Sequence, residues 1–138
     1  MITAVDTNIL LDLHVGDDVF SQMAKAEVSR AYAHGSLVIC TVAYAETAVA
    51  FSSKTALDAF LERLEVQAQE FEAQTCFAAG QMHKRYRAQG GKRERILADF
   101  MIGAHAMLQA DQLLTRDRGF FRKYFPELRI VDPTKRLK

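Results

Sequence analysis

Short apolar runs alternate along this chain with longer stretches in which apolar residues recur every three or four positions. Residues 2–5 (Ile-Thr-Ala-Val) form the first run; Asp6-Thr7-Asn8 break it, and Ile9-Leu10-Leu11 restart it. That order predicts a buried strand, a turn at its C-terminal end, and a helix capped by Asp, Thr or Asn. Asp17-Asp18 suit the cap of a second helix, whose Phe20, Met23, Ala24, Val28 and Ala31 share one face and which Gly35 stops. Leu37-Val38-Ile39-Cys40 is continuously apolar, as a parallel strand covered on both faces should be. A helical stretch over residues 43–51 follows, and Ser52-Ser53 restart a helix carrying Leu57, Phe60, Leu61 and Leu64. Residues 64–66 are a candidate for a further short strand.

Residues 70–87 are again helical in pattern and are broken by Gly90-Gly91. The clearest helix spans residues 93–110, with Leu97, Phe100, Met101, Ala104 and Leu108 on one stripe. Asp111 closes it, residues 112–115 read as a strand, and a short helix after Asp117 carries Phe120, Phe121 and Tyr124. A last strand over 128–131 ends at Asp132-Pro133. Buried strands alternating with helices predict an α/β fold with a mostly parallel sheet.

At 138 residues the chain has the length of a single domain, 1–138, and its 49% apolar and 25% charged residues are the ordinary globular mixture. No apolar run reaches the length of a membrane span, and no signal peptide is expected from the N-terminal residues. Cys40 and Cys76 stand far apart without a CxxC pair, so free thiols in a reducing, cytoplasmic setting are expected rather than a disulfide scaffold or zinc site. The net charge of +1 conceals a polarity: through residue 80 there are four basic residues against eleven acids, and from residue 81 onward fourteen against six. A polyanionic partner for the second half would account for it, as would nothing more than two halves interleaved by folding.

Phosphate-binding glycine loops, dinucleotide fingerprints, nucleophile elbows and HExxH are all absent from the sequence. His14, His34, His83 and His105 have no ligand-like spacing, and His105 reads as a packed or surface histidine. The carboxylates are more informative. Asp6 follows the first strand, Glu46 lies just after the second, Asp99 sits in the strong helix, and Asp117 directly follows a later strand. In a parallel sheet the C-terminal strand ends share one edge, where ligands bind. Four carboxylates meeting there require a cation, and hard oxygen ligands favour Mg²⁺ or Mn²⁺, suited to phosphodiester hydrolysis. Taken singly, Asp6 and Asp117 could each be a helix cap, Glu46 a solvated helix residue, Asp99 a macrodipole partner and Thr115 a β-branched strand residue. The segment Lys84, Arg85, Arg87, Lys92, Arg93 and Arg95 flanks Gly90-Gly91, with Glu94 its only acid. With a flexible turn at the glycines, these cations would rim the cleft and hold an RNA backbone; the plainer alternative is a solvated helix end.

Val5-Asp6-Thr7-Asn8-Ile9-Leu10, Glu46, Ala98-Asp99-Phe100-Met101-Ile102-Gly103-Ala104 and Leu114-Thr115-Arg116-Asp117 together resemble a PIN domain, specifically the VapC-type toxins of bacterial toxin–antitoxin pairs. The resemblance covers essentially the whole chain and rests on the ordered quartet rather than on any one motif. It implies a three-layer α/β/α sandwich and a Mg²⁺-dependent endoribonuclease acting as the toxin of a type II system. It also implies a homodimer and a small antitoxin that occludes the cleft. The catalytic set becomes Asp6, Glu46, Asp99 and Asp117. Asp6 and Asp99 are then direct metal ligands, Glu46 and Asp117 further candidates, and Asn8 and Thr115 polar supports. The family often has an alanine-rich stretch after the third acid, where this chain has Met101-Ile102-Gly103-Ala104. The alternative is a non-catalytic PIN-like RNA-binding or assembly module, which needs no acid cluster. A phospho-acceptor receiver is disfavoured because no lysine lies between Lys92 and Lys123, and an Asp-x-Asp phosphatase because position 8 is Asn.

Overall fold

A computed structural model describes every residue except Asp17, Arg93, Glu94, Leu137 and Lys138. Of the expectations above, the Asp17 cap, the Arg93 cation and the Glu94 acid lie outside the described residues. Five strands form one sheet in the order β3-β2-β1-β4-β5: β1 (Ile2–Val5), β2 (Ser36–Cys40), β3 (Val66–Gln69), β4 (Gln112–Leu114) and β5 (Ile130–Val131). All four pairings are parallel. Among the described residues, seven helices flank the sheet: α1 (Thr7–Val15), α2 (Val19–Ala33), α3 (Thr41–Ala48), α4 (Lys54–Leu64), α5 (Ala73–Ala88), α6 (Leu97–Gln109) and α7 (Arg118–Tyr124). A 3-10 turn over Pro133–Arg136 follows β5.

The apolar runs become the sheet because each is covered on both faces. Ala4, Val5, Leu37, Ile39, Leu113 and Leu114 are all buried. The central strand β1 aligns Thr3 with Leu37 on one side and with Gln112 on the other. Successive strands run outward from β1 through β2 to β3, and the chain then returns to β4 on the opposite side. The order therefore reverses between β1 and β4, and a crevice opens beyond the carboxyl ends of strands at such a reversal. Asp6 ends β1 and Thr115 follows β4, so the fold delivers both to that crevice.

α1 starts at Thr7, and of the three expected caps it is Asp6 that serves, accepting a hydrogen bond from the Thr7 amide. Other elements differ from the sequence reading. The short strand of residues 64–66 is instead Val66–Gln69, beginning where Glu65 ends α4 with a left-handed φ of 56°. Phe20, expected on the core face of α2, is 37% exposed, and its ring lies under the Arg116 guanidinium at 4.3 Å. The Gly90-Gly91 turn, expected to be flexible, is tied down. Gly91 N–H donates to the Tyr86 carbonyl (2.8 Å), and the Tyr86 hydroxyl donates to the Lys92 carbonyl (2.7 Å). A Cβ at Gly91 would come within 2.5 Å of Tyr86, so the close approach itself requires glycine.

Candidate active site

Asp6 is the buried centre of the crevice, 7% exposed. One carboxylate oxygen accepts from the Thr7 amide (2.7 Å), and the other accepts from the Thr115 hydroxyl (2.7 Å) and the Asn8 side-chain amide (3.4 Å). Thr115, wholly buried, also accepts from the Asp117 amide (2.9 Å), while Asn8 Oδ1 accepts from the Arg116 amide (3.2 Å). Asn8 and Thr115 thus stitch the end of β1 to the segment after β4. Burial raises the pKa of Asp6 to about 6, against the pull of its hydrogen bonds, and the neighbouring carboxylates of Glu46 and Asp117 push it the same way.

Glu46, on α3, is reached through a residue that the sequence presents only as part of a cap. The Thr7 hydroxyl donates to Glu46 Oε1 at 2.7 Å, linking the first turn of α1 to α3. Asp117 sits at the N-cap position of α7 but makes no side-chain capping bond. Its carboxylate is instead forked by Arg95: Nη1 donates to Oδ2 at 2.6 Å and Nη2 to Oδ1 at 3.2 Å. The same guanidinium stands 3.9 Å from Asp99 Oδ1 and lies over the Phe120 ring, 4.4 Å from its centroid. Asp99, in the first turn of α6, accepts from the Ile96 amide at 3.0 Å, so it serves its own helix as well.

The structure therefore brings Glu46 and Asp117 each within electrostatic reach of Asp6 and joins Asp99 to Asp117 through Arg95. The donor set is of the kind a hard divalent cation takes, and an ion held by one or two carboxylates plus waters needs no larger cage. Among the described residues, no three Asp, Glu, His or Cys groups stand close enough to hold one ion between them in this arrangement. Of the basic segment, Lys84, Arg85 and Arg87 are exposed on the last turns of α5 and Lys92 is exposed beyond it, whereas Arg95 is drawn into the acids. A second fork was not anticipated: Arg116 donates to both oxygens of Asp12, at 2.7 and 3.1 Å. The available signal was helical spacing, which puts Asp12 on the same face of α1 as Asn8.

A five-stranded parallel sheet with carboxylates gathered at its reversal point defines a class of α/β domain with an acidic crevice. The chain belongs to the PIN domain family, whose model matches residues 3–126. No curated protein sequence matches it. Its fold is similar to that of VapBC-1 from nontypeable Haemophilus influenzae (TM-score 0.71, 23% identity, covering 97% of this chain and 99% of that one). It is similar also to VapBC2 from Rickettsia felis bound to a promoter DNA fragment (0.69, 18%, covering 96% and 98%). A toxin–antitoxin complex from Klebsiella pneumoniae gives a TM-score of 0.68 at 22% identity, covering 95% and 97%.

Proposed function

We propose that this chain is a single PIN domain that hydrolyses RNA phosphodiester bonds with Mg²⁺ or Mn²⁺ and acts as the toxin of a toxin–antitoxin pair. The observation that carries this reading is the placement of Asp6, buried and pushed toward neutrality, beside Glu46 and Asp117 at the reversal point of the sheet. A cation there would relieve that burden. Asp6 and Asp99 are the proposed ligands, with Glu46 and Asp117 completing the acidic field. Bound, the ion would supply Lewis acidity and charge neutralisation toward a phosphodiester. Asn8 and Thr115 hold Asp6 in place, and Thr7 holds Glu46. A small antitoxin covering the crevice and a homodimeric toxin are proposed from the similarity to VapBC proteins.

Incubating the purified chain with a pool of structured RNAs, with and without Mg²⁺ or Mn²⁺, tests the activity. Cleavage should require metal and be abolished in Asp6→Asn and Asp99→Asn, both of which should remain folded. Undiminished cleavage by the two variants would sink the site assignment. The non-catalytic reading draws on one observation, the Arg95 guanidinium lodged among the acids. It predicts RNA binding with no metal-dependent cleavage. Co-expression with the adjacent reading frame tests the antitoxin, which should co-purify and relieve toxicity.

A further inference from the structure

Arg95 is held from three directions. Asp117 takes both of its terminal nitrogens, Asp99 stands 3.9 Å away, and Phe120, itself buried, offers the face of its ring at 4.4 Å. A planar guanidinium in a bidentate fork over an aromatic face is an ordered arrangement, with its charge directed at the carboxylates. The fork also uses both oxygens of Asp117, and the remaining attraction falls on Asp99. These are two of the four acids from which a divalent cation would draw its field. An acidic cluster needs a counter-charge, and this chain supplies one from its own sequence. We propose that Arg95 is the resting counter-cation of the acidic cluster, and that a divalent cation competes with it for Asp117 and Asp99.

The inference rests on the reading of the cluster as a cation site and adds to it a built-in competitor. Two cations sharing one set of carboxylates weaken each other's hold, and the effect is reciprocal. A divalent ion entering beside Asp99 must either meet the guanidinium's charge at close range or drive the side chain off Asp117. Removing that charge should strengthen ion binding by at least about tenfold, the effect of one unit charge on a divalent ion a few ångströms away even when screened as in bulk water. Arg95 is one-third exposed, so a displaced side chain has solvent on the open side into which to move.

Calorimetric titration of Mn²⁺ into the full chain and its Arg95→Ala, Arg95→Gln and Asp6→Asn variants, with circular dichroism as the check on folding, tests the competition. Arg95→Gln keeps most of the stem over Phe120 if the alanine variant fails to fold. A readout on the unaltered protein is the NMR signal of the Arg95 Nε–H during Mg²⁺ titration. The expected result is Mn²⁺ binding tighter by about tenfold or more in both Arg95 variants, with the Arg95 signal of the parent moving along the same saturation curve as Mg²⁺ uptake. Unchanged or weaker Mn²⁺ binding in the Arg95 variants, with binding lost in Asp6→Asn, overturns the competition and leaves the cation site standing. An Arg95 signal that stays fixed through Mg²⁺ saturation overturns it equally. No ion uptake by the parent or by any variant overturns the cation site, and the competition with it.

Discussion

Gly103 and Phe125 share one volume. A Cβ at Gly103 would lie 2.4 Å from the Phe125 ring, and that ring is wholly buried. The glycine in a stretch where related chains often carry alanine thus makes room for an aromatic side chain. Gly103→Ala is expected to destabilise the fold by about 1–3 kcal/mol through overpacking. Urea denaturation measures this, and adding Phe125→Leu should recover part of the loss. Asp6 poses the opposite case, a side chain whose charge costs stability. With its folded pKa raised to about 6, the ionised form is disfavoured by burial; the penalty on folding grows as the pH rises above the ordinary value of 3.8 and is complete above about 6. Without divalent cation, Asp6→Asn should therefore melt higher than the parent at pH 8, by the equivalent of about 1–3 kcal/mol. Below pH 4, where the parent carboxyl is neutral, the gain should vanish.

At the scale of elements, α6 joins the crevice to the far edge of the sheet. Its first turn carries Asp99, and near its other end the His105 Nε2 donates to Gln69 Oε1 at 2.9 Å, at the end of β3. Burial lowers the His105 pKa to about 4, so the folded state binds this proton less readily than the unfolded chain does. Its contribution to stability is complete above the unfolded value near 6.5 and declines as the pH falls toward 4, by up to about 3 kcal/mol. His105→Phe should flatten the loss of stability between pH 7 and pH 4, as followed by denaturant titration. The helices and central strands were legible in the sequence because their apolar positions keep one period. β3 was misplaced because Val-Gln-Ala-Gln is an edge strand with Gln67 and Ala68 exposed, and it lacks the continuous apolar run that marks β2. Asp6 and Asp117 were legible as strand-end residues. The Thr7–Glu46 and Arg95–Asp117 bonds were not, since each joins elements whose meeting only the tertiary fold decides.

Across the whole molecule, the two halves of the sequence stay apart in the sheet. The strands of the acidic half, β3, β2 and β1, occupy one side, and β4 and β5 of the basic half occupy the other. If RNA is the ligand, replacing the exposed Lys84, Arg85 and Arg87 by Ala should weaken binding across sequences and flatten its salt dependence. Each lost phosphate contact should reduce the log–log slope by about 0.7, and a variant with the parent's slope returns these side chains to ordinary surface. The seam between the two halves is the β1–β4 pairing, and the Thr115 hydroxyl that braces Asp6 comes from 109 residues further along the chain. A chain still emerging from the ribosome has Asp6 and Glu46 before it has Arg95, Asp99, the Thr115 hydroxyl that braces Asp6, or Asp117. If the proposed activity holds, such a nascent chain lacks it. If the chain is the toxin proposed above, the interval of its synthesis is time in which an antitoxin can be made to meet it.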